Sequence, residues 1–300
     1  MRRGSLLMAV LCAAVVRADP LVQRMMERIS EEASVFARQA PDVIGQETLR
    51  QRALKPPRRF HPRVGNAALE PPKPEWQTRE IVSEYGFSAF SAAPGVLHEF
   101  RRVVSVDGRK IEENGKALDA LAKSITSNDD NQKRRQLKQF EKYGLLGAAT
   151  DFGQLILMFS RSQLDKFEFN PEGQRLAGAE RAQVFSYKQV DGSEGLTIFA
   201  EGKALHERLQ GEIWVRASDA LPLRITLISV RGEGRKGVRE EAQVDYTMTR
   251  YGFELPVSVV HREFQASGLV AENRFQYTNF RKFAADAEIK FTAEPEPPAK

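Results

Sequence analysis

The sequence predicts an α+β fold: a curved, mostly antiparallel β-sheet, an incomplete barrel, with helices covering its concave face. Three observations lead there. Polar and apolar residues alternate with a period of two through most of the stretch from Leu164 to Phe283, which is the pattern of strands with one wet face. Short turn-forming clusters such as Asp107-Gly108 and Ser218-Asp219 separate the runs. Helical spacing is confined to segments before residue 162, so helices and strands are segregated along the chain rather than alternating as in α/β proteins.

The first residues, MRRGSLLMAVLCAAVVRADP, place Arg2 and Arg3 before an apolar run from Leu6 to Val16 and a small residue at Ala18. This is the layout of a secretory signal peptide over residues 1–18, cleaved near Ala18. The run falls short of the roughly 20 residues that cross a bilayer, and no later run reaches that length, so no transmembrane segment is expected. The mature chain is expected to be periplasmic or secreted and to start near Asp19. Cys12, the sole cysteine, lies inside the run, and Leu11 before it is larger than the residue that normally precedes a lipidated cysteine. Beyond the cleavage point no cysteine remains, which excludes disulfides, thiolate catalysis and cysteine metal ligands. The formal charge of +5 includes Arg2, Arg3 and Arg17, so the chain beyond residue 18 carries +2 and gives no electrostatic argument for nucleic acid.

Asp19-Pro20 starts an amphipathic helix with apolar residues at Leu21, Met25, Ile29, Ala33 and Phe36, ending before Pro41. Val43 to Leu54 alternates as a strand. Residues 55–75 hold six prolines and no period, an exposed excursion. Strands follow over 77–87 and 96–111, the latter turning at Val106-Asp107-Gly108. Leu118, Leu121, Ala122 and Ile125 have helical spacing, and a second helix is expected from about Asp129 to Tyr143. Residues 150–161, TDFGQLILMFSR, leave almost no polar face and predict a buried helix. The remainder reads as strands, with DGSEG at 191–195 taken as a hairpin loop and RGEGRKG at 231–237 as a hairpin tip. One domain is expected over 19–283, followed by a proline-rich acidic tail at 284–300.

The segments AQVFSYKQV, GEIWVRASDALPLRI, DYTMTRYGFELPVSV and NRFQYTNFRKF resemble a pattern recurrent in secreted bacterial proteins. Their strand order is similar to the periplasmic lipoprotein-carrier fold of LolA and LolB, over residues 77–283. In the turn after the tryptophan strand, where such proteins often carry aspartate and threonine, this chain has Arg216-Ala217-Ser218-Asp219. The resemblance implies a hydrophobic cavity suited to acyl chains and supplies no catalytic residues.

Motifs for chemistry are sparse. His61, His98, His206 and His261 form no metal-ligand spacing, and each reads as a half-exposed strand or loop residue. Ser193 in DGSEG lacks the glycine and the helix of a nucleophile elbow. Glu240, Glu241 and Asp245 sit among arginines and lysines as surface pairs. No catalytic residue, metal or cofactor is therefore expected. The leading expectation is a non-catalytic exported binding protein for an acyl chain or lipidated peptide, lined by Phe152, Leu155, Ile156, Phe159, Phe185 and Trp214. The competing expectation is an envelope scaffold with a filled core that docks a protein partner. A large void under the sheet favours the first and a solid core the second.

Overall fold

In the computed structural model, the structure describes residues 19–55, 74–89, 97–111, 142–146, 152–191, 196–200, 203–232 and 237–282. Residues 1–18, most of the proline-rich segment, the expected helices between 118 and 141 and the tail lie outside them.

Helix α1 (Pro20–Gln39) begins as the sequence predicts: the Asp19 carboxylate accepts from the Leu21 amide at 2.8 Å, filling one of the donors a helix start leaves open. Met25, Ile29, Ala33 and Phe36 are buried, while Leu21 is exposed and Val22 takes the inward position. A 3-10 turn at Ala40–Asp42 leads into the sheet.

The sheet is formed by β1 (Val43–Leu54), β2 (Trp76–Ala89), β3 (Leu97–Val106), β4 (Arg109–Lys110), β5 (Phe167–Ala177), β6 (Glu180–Gln189), β9 (Leu209–Arg216), β10 (Pro222–Arg231), β11 (Val238–Met248), β12 (Glu254–Gln265) and β13 (Gly268–Lys282). The strands β7 (Leu196–Ala200) and β8 (Lys203–Glu207) make a separate hairpin. The eleven strands run β4-β3-β2-β1-β13-β12-β11-β10-β9-β6-β5, every pair antiparallel, with β4 and β5 at the edges among the described residues. This is the open, α+β sheet expected. Two meanders are joined where the first strand, β1, pairs with the last, β13. The edge strand β5 carries a register shift between Pro171 and Gly173 and is exposed along most of its length.

Register explains the core. Phe185, Ile213, Ile225, Val244, Val259, Phe275, Leu49 and Ile81 are opposed each to the next across eight neighbouring strands, and all are buried. They form one apolar row on the inner face, because opposed residues in a sheet point to the same side. α1 lies on this face and brings Phe36 edge-on to Phe87 at 5.0 Å.

Two sequence expectations are corrected by pairing. Residues 192–195 lie outside the described residues, but the strands on either side of them are not hairpin partners: β6 pairs with β9, and β7 with β8. Residues 155–159 form a 3-10 turn, not the expected α-helix. An α-helix over this stretch would direct the Ile156 amide to the Phe152 carbonyl. Here the Leu155 amide takes that carbonyl at 3.0 Å, while Ile156 donates to the Tyr246 hydroxyl at 3.1 Å.

Adjacent residues on β9 test the assignment of faces. Ile213→Ala is expected to cost about 2–5 kcal/mol through the cavity it leaves, and Trp214→Ala about 1 kcal/mol, as the loss of an outer-face cation–π contact. Urea unfolding midpoints of the two variants measure the difference, and equal losses contradict the assignment.

Candidate functional site

The segment from Phe152 to Phe159 lies across the inner face without pairing as a strand. Leu155, Ile156 and Phe159 are buried. Phe159 sits among Phe167, Phe169 and Tyr187, with ring centroids at 5.4, 6.0 and 5.0 Å. Phe152 stacks on His261 at 4.8 Å. α1 covers the turn from the other side.

Because this segment lacks strand partners, its peptide groups need hydrogen bonds from side chains. The sheet supplies them. Tyr246 on β11 donates its hydroxyl to the Gly153 carbonyl at 3.1 Å while accepting from Ile156. Glu99 on β3 accepts from the Gly153 amide at 2.8 Å and from the Tyr85 hydroxyl at 2.7 Å. A few residues earlier in the chain, the Gln51 amide donates to the Leu146 carbonyl and accepts from the Leu146 amide, both at 2.8 Å. Gly153 has no room for a side chain: a Cβ there would lie 2.6 Å from Glu99 Oε1 and 2.6 Å from the Tyr85 hydroxyl.

Glu99 belongs to a buried charge cluster. Arg101, two residues on along the same face, binds Glu47 of β1 through Nε at 2.7 Å and Nη2 at 2.7 Å, and Glu99 through Nη2 at 2.8 Å. The guanidinium also lies over the rings of Tyr85 at 5.2 Å and Phe275 at 5.6 Å. Burial pushes the Glu47 carboxyl up, opposed by the pull of Arg101. Burial likewise lifts the Tyr85 and Tyr277 hydroxyls well above the usual phenol range, so both remain protonated. Two carboxyls share one guanidinium, and the apolar surroundings make every lost partner costly.

A second buried carboxyl lies where α1 meets β12. Glu254 is 1% exposed and neither of its oxygens has a hydrogen-bond partner among the described residues. Burial, reinforced by the charge of Glu32 on α1, pushes it up to about 7 against the opposing pull of Arg216. Glu32 itself pairs with Arg28 at 2.8 Å.

Of the six expected lining residues, five come together under the sheet: Phe152, Leu155, Ile156, Phe159 and Phe185. Trp214 does not join them. Its neighbours Ile213 and Val215 are the buried residues of β9, so the period of two turns the indole to the outer face. There Nε1 donates to Glu212 at 2.9 Å, and Arg175 and Arg224 flank the ring at 5.4 and 5.3 Å. His261, expected to be half-exposed, is 1% exposed. The polar residues that seat the segment escaped the sequence reading. The available signal was Leu97-x-Glu99-x-Arg101-x-Val103, in which two charges share a face with two aliphatic residues.

Two depressions bounded by described residues are open, with linings that mix polar and apolar groups. One, of about 430 Å³, lies along α1 between Arg28, Glu31, Arg38 and Arg161. The other, of about 320 Å³, is lined by Gln46, Glu84, Asn279 and Arg281 among others. Neither adjoins the five inner-face residues. Among the described residues, no group of three or more histidine, cysteine, aspartate or glutamate side chains is placed to hold a metal ion.

The raised Glu254 carboxyl predicts a pH-dependent stability. Its folded value, about 7, lies above that of an unfolded glutamate, about 4.3. The contribution is therefore fully present below the unfolded value and is lost as pH rises through about 7. Glu254→Gln is expected to gain on the order of 2 kcal/mol over the unmodified protein at pH 8 and to match it near pH 4. Thermal unfolding across that range checks this, and parallel curves for the two proteins contradict it.

Among solved structures the chain is similar to a DUF1329 family protein from Desulfovibrio piger, with 9% identity over 89% of this chain and 95% of that one and a TM-score of 0.37. It is also similar to a LolA superfamily protein from Nitrosomonas europaea, with 11% identity over 86% of this chain and 93% of that one and a TM-score of 0.32. No protein-family model matches the sequence, and no curated protein does.

Proposed function

We propose that this chain is an exported, non-catalytic binding protein for an apolar ligand, an acyl chain or a lipidated peptide, and that segment 152–159 occupies the ligand's place when none is bound. One observation carries the reading: an apolar segment is seated on the inner face by side-chain hydrogen bonds rather than by strand pairing. A segment held in this way can leave without breaking a single bond between the strands. Its departure would uncover the row from Phe185 to Ile81. Burying an acyl chain there gives roughly 25 cal/mol per Å² of apolar surface removed from water. The arginines and short apolar run before Ala18 support export.

The scaffold reading has its own support: Ile156, Phe159 and Phe185 are at most 1% exposed, as in a filled core. Gly153→Ala separates the two. On the binding reading the added methyl collides with Glu99 and Tyr85, loosens the segment, and raises affinity for a fluorescent fatty-acid probe by roughly tenfold, the equivalent of about 1.4 kcal/mol of lost docking. On the scaffold reading neither protein takes up the probe saturably, and the variant is only less stable. Titration of residues 19–300 and of its Gly153→Ala variant with the probe gives the answer.

Export is tested separately. Protein recovered from expressing cells is expected to begin at Asp19, and an intact Met1 in the mature pool or an acylated Cys12 contradicts this.

A further inference from the structure

His261 is buried on the inner face of β12 and stacks on Phe152, the first residue of the apolar segment. Its hydrogen bonding is fixed from a distance. The starting point is Leu146, whose backbone amide can only donate and whose carbonyl can only accept. The amide donates to Gln51 Oε1 at 2.8 Å and the carbonyl accepts from Gln51 Nε2 at 2.8 Å, so the orientation of the Gln51 side chain is dictated by the backbone. Gln51 Nε2 also donates to Asn273 Oδ1 at 2.7 Å. Asn273 must then present its other end, Nδ2, to His261 Nδ1 at 3.1 Å. Nδ2 is a donor, so Nδ1 must accept. The imidazole is neutral with its proton on Nε2, which has no hydrogen-bond partner among the described residues.

Among the described residues, few charged or titratable groups surround the ring. Glu240 of β11 has Oε2 at 3.9 Å from Nε2, and its carboxylate is engaged by Arg231 of β10. Among the described residues, Asn273 of β13 and the Phe152 ring, both uncharged, also contact it.

We propose that His261 is a proton sensor wired to the docking of the chain at Leu146. A proton on Nδ1 turns two donors toward each other. Asn273 relieves this by rotating its amide to offer Oδ1, which leaves Nδ2 facing Gln51 Nε2. Gln51 rotates in turn and then offers oxygen to the Leu146 carbonyl and nitrogen to its amide. Both bonds to Leu146 are lost, so a proton gained at β12 is read out as a released strap six residues before Phe152. The coupling does not depend on what the inner face binds. Combined with the proposed function, it means that acidification releases Leu146, six residues before the apolar segment.

The experiment uses NMR of residues 19–300 across about pH 5 to 8, the range in which histidine side chains ordinarily change charge. Ring nitrogen shifts are expected to give the Nε2–H form at the upper end. As His261 gains its second proton, protection of the Leu146 amide from exchange, corrected for the intrinsic rate, is expected to fall roughly tenfold while that of Val259 and Phe275 stays constant. Asn273→Asp provides the decisive variant. A carboxylate accepts from both sides, so protonated His261 and docked Gln51 become compatible and Leu146 keeps its protection at low pH. His261→Phe keeps an aromatic ring against Phe152 and makes Leu146 protection independent of pH. An Nδ1–H tautomer, protection that ignores the titration, or an equal loss in Asn273→Asp would overturn the proposal.

Discussion

The pairing of β1 with β13 decides which side chains share the inner face, and the seating of the apolar segment rests on that choice. Register sets Leu49 against Phe275, Glu47 against Tyr277 and Gln51 against Asn273. One of these contacts, between Gln51 and Asn273, joins residues 222 positions apart in sequence. A slip of one residue would turn Glu47, Leu49 and Gln51 outward together, because side chains alternate faces along a strand. The partner of Arg101, one residue of the apolar row and the anchor of Leu146 would vanish at once. The large apolar residues opposed along the row oppose such a slip, so the hydrophobic pattern protects the polar one.

The polar groups under the sheet follow from the irregular segment above them. A helix satisfies most of its own peptide groups, but a 3-10 turn of five residues does not, and in an apolar interior each unmet amide or carbonyl costs about 1–3 kcal/mol. Glu99 and Tyr246 meet that need, and Gln51 does the same for Leu146 a few residues earlier. A buried carboxylate then requires its own compensation, which Arg101 provides, and Arg101 draws in Glu47. Buried ion clusters of this kind add little net stability over apolar residues of the same volume. Their effect here is to fix where the segment sits, and Gly153 is the residue that lets it come close enough.

Much of this was readable from local pattern. Asp19-Pro20 gives the helix start, Asp107-Gly108 the turn into β4, and the alternation from Glu180 to Lys282 most of the strands of the larger meander. Local pattern misled where the deciding partner was distant. Residues 155–159 are apolar enough for a buried helix, but the group that takes the Ile156 amide is Tyr246, 90 positions away. DGSEG has hairpin composition, yet β6 finds its neighbour in β9, beyond the β7–β8 hairpin. Trp214 was expected among the lining residues, but its Nε1–H needs an acceptor, and Glu212 on the outer face supplies one. His261 was passed over because no second metal-ligating residue stands at a helical spacing from it, whereas its neighbours across the sheet are Ala242 and Asn273.

An open sheet has two free margins, and any strand left unpaired is a template for another chain. On one side β4 is only two residues long and covers just Ser105 and Val106 of β3. The opposite margin, β5, is long enough, but Pro171 lacks a donor, the ladder shifts beside it, and Glu168, Glu172 and Arg175 set charges along its exposed length. Along β5 these features oppose pairing with a second copy of the chain, so the sheet is left open at this margin without offering a flat template for another strand.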